Sequence, residues 1–275
     1  MLEEMGIRVW EDRARAVPFG PGDGTPPPPA RRGEGEAFAS PGSAPGVDGP
    51  GVEATPPGRP EVSTGDAHDV ASLGWDELRA AVAACTACKL ATSGRRQTVF
   101  GVGHPNAHWM IVGEAPGEQE DIRGEPFVGK SGQLLDNMLK ALGLGRRAAD
   151  GAPADPARQV YIANTLKCRP PGNRNPQPDE LARCEAFLVR QIALVRPRII
   201  LAMGRFAVQS LLRSDEPIGR LRGRVHRYAG VPLVVTYHPA YLLRNLEDKA
   251  RAWEDLCLAA EAAEAAGAAL AARTP

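Results

Sequence analysis

His108-Trp109-Met110-Ile111-Val112-Gly113-Glu114-Ala115-Pro116-Gly117 opens as an unbroken apolar run and closes in a turn of small residues. A short apolar run stopped by glycine reads as a buried strand entering a loop. Downstream, Gly132 to Leu142 places Leu134, Leu135, Met138, Leu139 and Leu142 at helical spacing. The same alternation recurs. Val160 to Ala163 reads as a strand, and Pro178 to Leu194 as a helix with proline in its first turn and Asp179 and Glu180 near its positive end. Pro197 to Ala202 is a strand, Gly204 to Leu212 a helix and Pro232 to Tyr237 a fourth strand; a long Ala-rich helix covers about Glu247 to Ala272. Strands alternating with helices predict an α/β fold, a three-layer α/β/α arrangement with a central, mostly parallel four-stranded sheet. Ligands of such sheets sit beyond the carboxyl ends of the strands. Gly113, Asn164, Gly204 and His238 each fall just after a strand, so they should converge on one edge.

Upstream of this pattern the composition changes. The folded domain is expected to begin near Leu73 and to occupy residues 73–275, its first element a helix pattern that runs from Trp75 through Leu78 and Val82 to the first cysteine pair. Residues 18–72 are dominated by Pro, Gly, Ala, Ser and acids, with Pro26-Pro27-Pro28-Pro29 in a row. Such a segment cannot bury enough apolar surface to offset its ordering entropy and reads as a disordered linker. Residues 1–17 carry Leu2, Met5, Ile7, Val9 and Trp10 among charges, the composition of a short docking segment for a protein partner. Charge is unevenly divided: residues 1–74 hold 6 basic and 12 acidic side chains, residues 75–275 hold 27 and 21. The basic part is compatible with a phosphate-rich partner. No secretory signal and no apolar run of the roughly 18 residues that span a bilayer is present. A soluble, cytoplasmic protein is expected.

Four of the five cysteines form two pairs, Cys85-x2-Cys88 and Cys168-x15-Cys184. Four thiolates hold a tetrahedral zinc or an iron–sulfur cluster, and the spacing leaves both open. Cys168 follows a strand and Cys184 lies in the next helix, with the loop Arg169-Pro170-Pro171-Gly172-Asn173-Arg174-Asn175-Pro176 between them, too long for a zinc knuckle. Cys257, beside Trp253, Leu256 and Leu258, reads as a core thiol.

The loop after the first strand continues Glu118-Gln119-Glu120-Asp121. Its small residues permit close backbone approach to a ligand, and its carboxylates can orient or activate water. Pro126-Phe127-Val128-Gly129 then sets an aromatic in a rigid turn, suited to stack on a planar ligand. Gly124 to Ser131 formally satisfies the GxxxxGK[ST] pattern, but no strand directly precedes it and prolines stiffen it, which argues against a triphosphate loop. After the fourth strand, Tyr237-His238-Pro239-Ala240-Tyr241-Leu242-Leu243-Arg244-Asn245 offers a histidine able to donate to a developing anion. Apolar side chains beside Arg244 suit a wedge in a base stack.

Together these segments closely resemble the family 4 uracil-DNA glycosylases, the iron–sulfur, thermostable-type branch of the uracil-DNA glycosylase superfamily. The resemblance is carried by Gly113-Glu114-Ala115-Pro116-Gly117 with Glu120-Asp121, by Gly124-x-Pro126-Phe127-Val128-Gly129, by Asn164 ahead of Lys167-Cys168-Arg169-Pro170-Pro171-Gly172-Asn173, by His238-Pro239-Ala240 and by the four cysteines. It covers about residues 75–260. It implies a structural [4Fe–4S] cluster on Cys85, Cys88, Cys168 and Cys184. It implies that uracil-containing DNA is the partner and substrate, that the protein acts as a monomer, and that it hydrolyses the N-glycosidic bond to leave an abasic site. By the same resemblance Phe127 stacks on the flipped uracil within a pocket that includes Gly113 and Ala115. Asn164 reads the uracil edge, Glu114 positions water, Glu120 orders water or the pocket, and His238 stabilises the leaving anion. Arg244, with Leu242 and Leu243, fills the gap left in the duplex. Two departures matter. Ala240 stands where many relatives have Ser, and the cluster loop carries no histidine, which implies turnover rather than covalent trapping. Competing readings are a glycosylase for other deaminated bases and a cluster-bearing module that binds damaged DNA without chemistry.

Overall fold

The computed structural model describes residues 70–148 and 151–272. The docking segment expected over 1–17, and the linker expected over 18–72 except for its last three residues, lie outside the described residues.

Among the described residues, six strands form one sheet: β1 (Val102–Gly103), β2 (Trp109–Gly113), β3 (Val160–Asn164), β4 (Ile199–Met203), β5 (Val225–Tyr228) and β6 (Val231–Thr236). Their spatial order is β1-β3-β2-β4-β6-β5. The four strands expected from sequence are the central ones, and they run parallel to one another. The two edge strands were not expected and run antiparallel to their neighbours. β1 is two residues long, too short to show a period. β5 pairs with β6 through Ala229-Gly230, both with positive φ, the geometry of a tight hairpin, without the Asn-Gly signature that marks such turns in sequence.

β2, β3 and β4 are buried at every residue, as strands covered on both faces must be. Successive side chains alternate between two cores. Trp109, Ile111, Ile162, Leu201 and Val234 face one side. There they meet Leu135, Met138 and Leu139 of α3 (Lys130–Ala141) and Leu256 and Ala259 of α8 (Asp248–Ala271). Met110, Val112, Tyr161, Ile200 and Val235 face the other. Their partners are Leu188 and Ile192 of α4 (Pro178–Val195) and Ala207, Val208 and Leu211 of α5 (Arg205–Leu212). A third cluster joins Leu78 and Val82 of α1 (Trp75–Ala84) to Leu90, Phe100, Leu166, Cys168, Cys184 and Phe187. Val70 and Leu73 pack against it. No helix among the described residues is long and apolar enough to cross a membrane.

The segment read as an acidic loop contains a helix, α2 (Glu118–Arg123). Its charges resemble a solvated loop, yet Glu120 and Asp121 are both buried. The Asp121 carboxylate accepts from the backbone N–H groups of Arg96 and Gln97. Glu120 reaches back to the N–H of Gly117, so the G-x-x-E spacing was a legible helix-start signal. Four short helical pieces complete the fold among the described residues: 3-10 turns at Lys89–Ala91 and at Pro171–Asn173 in the loop before α4, α6 (Ile218–Leu221) and α7 (Pro239–Leu242).

Candidate active site and cysteine centre

The parallel register brings the strand ends together. Gly113 and Asn164 are direct partners at the carboxyl ends of β2 and β3. Gly204 follows β4, and its position lies within 3.1 Å of the His238 β-carbon, measured from where its own β-carbon would be. Past the strands the ladder continues. Thr165 N–H donates to the Gly113 carbonyl and Leu166 N–H to the Glu114 carbonyl, both at 3.0 Å, and the Thr165 hydroxyl donates to the latter at 2.5 Å. These bonds fix the Glu114 loop over the end of β3. At their mouth lies a cleft of about 850 Å³. Glu114, Ala115, Glu120, Phe127, Asn164, His238 and Arg244 all line it, so residues far apart in sequence share one site.

Gly113 lies behind this lining. A β-carbon there would stand 2.5 Å from Asn164 Oδ1 and 2.6 Å from the Phe127 ring, so only glycine lets both side chains close over the strand end. Asn164 is buried, and its Oδ1 has no hydrogen-bond partner among the described residues. A buried amide oxygen left unpaired costs roughly 1–3 kcal/mol, which a ligand N–H would relieve. Phe127 is stacked on His238, ring centroids 5.3 Å apart and 28° between planes. That is too close to admit a third ring between them, so a planar ligand would lie alongside the pair with the imidazole at its edge.

His238 caps α7, and its Nδ1 accepts from the Ala240 N–H at 3.2 Å. Nδ1 is therefore unprotonated, and a neutral ring carries its proton on Nε2. Burial pushes the His238 pKa down to about 4, with Glu120 opposing and Arg244 adding to the fall. The imidazole is thus a neutral donor at neutral pH. Glu114 is half-buried. Burial raises its pKa and the nearby Arg205 guanidinium partly offsets that. Arg205, the first residue of α5, was not singled out from sequence; its proximity follows from β4 lying next to β2.

Glu120 also lines the cleft, but its carboxylate is engaged. Oε2 accepts from Gly117 N–H at 3.1 Å; Oε1 accepts from Val128 N–H at 3.0 Å and Gly129 N–H at 3.3 Å. It braces the Gly117 turn against the Phe127 turn. Glu120→Ala should therefore destabilise the protein by on the order of 2 kcal/mol in urea unfolding, since hydrogen bonds to a charged group are the stronger ones. Unchanged stability with lost activity would instead put Glu120 on the water.

Of the three residues expected at the DNA gap, two are exposed and one is buried. Leu243 is 41% exposed and Arg244 is exposed on the cleft rim. Leu242 is fully buried in the core beneath α7, because helical spacing from His238 turns it inward. It is no wedge. The cleft lining instead includes Tyr241, stacked on Tyr237 at 5.1 Å. Periodicity from the helix cap could have separated Leu242 from Leu243.

The four cysteines come from α1's C-terminal cap, the following turn, the loop after β3 and α4, and all line one small cavity with Leu90, Leu166 and Phe187. No three His, Cys, Asp or Glu side chains among the described residues converge as on a single ion. The four thiols thus share one largely apolar space. Burial raises the Cys168 thiol and pushes Cys184 up to about 12, with Arg95 and Lys167 opposing the rise at one thiol each. Arg95 donates to Cys168 Sγ at 2.6 Å and the Lys167 N–H to Cys184 Sγ at 3.3 Å, the kind of polar contact that tunes thiolate sulfur. Cys257 is half-buried on α8.

Residues 100–257 match the family model described as the uracil DNA glycosylase superfamily. The match spans Glu114, Phe127, Asn164, His238 and the second cysteine pair. The type-4 uracil-DNA glycosylase of Archaeoglobus fulgidus is 39% identical over 176 residues, covering 61% of this chain and 82% of that protein. That of Thermotoga maritima is 39% identical over the same shares, and that of Saccharolobus solfataricus 41% identical over 62% and 76%.

Proposed function

This chain belongs to the uracil-DNA glycosylase superfamily, and we propose that it excises uracil from DNA through the cleft at the ends of β2, β3, β4 and β6. The observation that carries the reading is the juxtaposition of an unpaired buried Asn164 amide, the Phe127 ring and a neutral His238 donor in one cleft.

A base inside a duplex cannot be reached, so the nucleotide must be extruded at a cost of a few kcal/mol. Phe127 receives the flat face of the base. Asn164 both accepts and donates: its Oδ1 takes the ring N–H of uracil, and its amide N–H meets the adjacent carbonyl. Cytosine presents the reverse pattern and would leave both sides unpaired. As the N-glycosidic bond breaks, its electron pair passes to the uracil ring nitrogen. Negative charge spreads to the ring carbonyls, where the His238 Nε2–H is placed to donate without gaining a proton. The sugar becomes cationic. Glu114, with its carboxylate in the cleft, orients a water toward that carbon, and addition of water with loss of a proton gives the abasic site. Arg244 of the cleft lining and the exposed Leu243 next to it in the chain occupy the vacated duplex position.

Cys85, Cys88, Cys168 and Cys184 would hold a [4Fe–4S] cluster, whose contribution is to cross-link α1's end, the loop after β3 and α4. The purified protein should contain about four iron and four sulfide per chain and absorb broadly in the visible. Cys184→Ala should bleach that absorbance and lower the melting temperature. One zinc per chain without colour would overturn the cluster assignment.

The activity is tested with paired oligonucleotides, one carrying a single uracil and one thymine, followed by alkaline cleavage of abasic sites. Cleavage confined to the uracil strand is expected. No cleavage by protein with its cluster intact would sink the reading.

A further inference from the structure

We propose that Arg146 is the positioning residue for Phe127, holding the aromatic ring in the conformation that receives the flipped base. The proposal rests on the reading of Phe127 as the stacking ring. Arg146 lies outside every motif described above, in the bend that follows α3. Its guanidinium makes a planar grip. Nη1 donates to the Pro126 carbonyl at 2.9 Å and Nη2 to the Phe127 carbonyl at 3.0 Å. Nε donates to Asp136 Oδ1 at 2.9 Å, and Nη2 approaches the same oxygen at 2.7 Å. The side chain is 11% exposed, so these bonds form largely out of water.

Phe127 needs holding. Its φ is +55°, in the left-handed region that costs a residue with a β-carbon on the order of 1–3 kcal/mol. Three contacts enforce that backbone. Glu120 takes the N–H groups of Val128 and Gly129 just after it. Gly132 leaves room for its carbonyl: a β-carbon there would stand 1.7 Å from the Phe127 oxygen. Arg146 takes that same carbonyl and the one before it. The arginine is itself fixed, because Gly145 N–H donates to the Arg158 carbonyl at 3.0 Å and Val160 N–H to the Gly145 carbonyl at 2.9 Å, docking the bend onto the start of β3. Arg146 therefore ties the base-stacking turn to the central sheet. A lysine, a point charge without the planar fork, would not reproduce the bond to Asp136 together with the paired grip on the two carbonyls.

The readout is the inhibition constant of free uracil against release from uracil-containing DNA, with affinity for abasic DNA as the control. Abasic DNA has no base to stack, so a general loosening of the protein would move both values and a displaced ring only the first. Arg146→Ala should raise the uracil inhibition constant about tenfold, equivalent to ~1.4 kcal/mol. Its abasic-DNA affinity should stay within about twofold, within the scatter expected of an uncoupled contact. Arg146→Lys should fall between it and the wild type. In a Phe127→Leu background, which itself raises the constant, adding Arg146→Ala should change it by less than about twofold, because the two act through one contact. If Phe127→Leu leaves uracil inhibition unchanged, the stacking reading fails. If Phe127→Leu raises it and Arg146→Ala does not, the positioning role fails. Should Arg146→Ala not fold, Arg146→Lys and Asp136→Asn decide: wild-type uracil inhibition in both overturns the proposal.

Discussion

Asn164→Asp is expected to slow uracil release by roughly a thousandfold or more, because a site built to pair polar groups discriminates by 10⁴–10⁵ when that pairing is lost. The wild-type amide supplies one acceptor and one donor at the end of β3, in a position only 2% exposed. A carboxylate there accepts twice. It would meet the ring N–H of uracil but set an anionic oxygen against the adjacent carbonyl. The same oxygen can accept from the amino group of cytosine, which the amide N–H of the wild type only opposes, so slow cytosine release should appear where none existed. Burial would also push the pKa of the new carboxyl upward. The protonated acid donates as the amide did, so residual uracil release should rise as pH falls. Single-turnover release from uracil- and cytosine-containing strands measures all three effects. Uracil release within threefold of wild type would remove Asn164 from base reading.

His238→Ala should lower the rate of uracil release by about 10²–10³, the usual cost of removing one preorganised donor to a developing anion, while binding of uracil-containing DNA changes little. The split follows from the tautomer. With Nδ1 held by the Ala240 N–H, Nε2–H points at charge that exists only as the bond breaks. The pH dependence has a definite sign. His238 has its pKa at about 4 in the folded protein against an ordinary 6.5. It remains neutral throughout neutral pH, so its protonation should not shape the rate between pH 6 and 8. Below pH 6.5 the unfolded chain binds a proton that the folded chain refuses. This residue's contribution to stability is therefore complete above pH 6.5 and is lost as pH falls through 4. Protonation would also turn Nδ1 into a donor facing the Ala240 N–H and break the cap of α7. The His238→Ala protein should show a shallower loss of stability between pH 6.5 and 4. An unchanged acid profile with full catalytic rate would falsify both roles.

The two edge strands and α2 mark where local patterns ran short. β1 is too short to carry a period, and β5 alternates half-buried and exposed residues on a sheet rim. α2 hides behind carboxylates that look solvent-facing until the backbone donors of Arg96, Gln97, Gly117 and Val128 claim them. Leu242 and Leu243 are neighbours of the same kind in sequence, yet one is core and the other rim, because one residue of helical rotation separates inside from outside.

The central parallel strands and their helices follow from the sequence by itself, because a strand buried on both faces must be apolar throughout and a packing helix must repeat at its own period. The meeting of Gly113, Asn164, Gly204 and His238 was also legible, since each stands at or just after a strand end and strand ends share an edge. Only the tertiary structure decided what those residues are free to do. Glu120 is occupied by three backbone donors while Asn164 keeps an oxygen unpaired, and His238 is neutral because it is buried. Phe127 is aimed by an arginine nineteen residues away along the chain. Hydrogen-bond occupancy, burial and leverage of this kind arise from segments distant in sequence meeting in space, and no local pattern of residues encodes them.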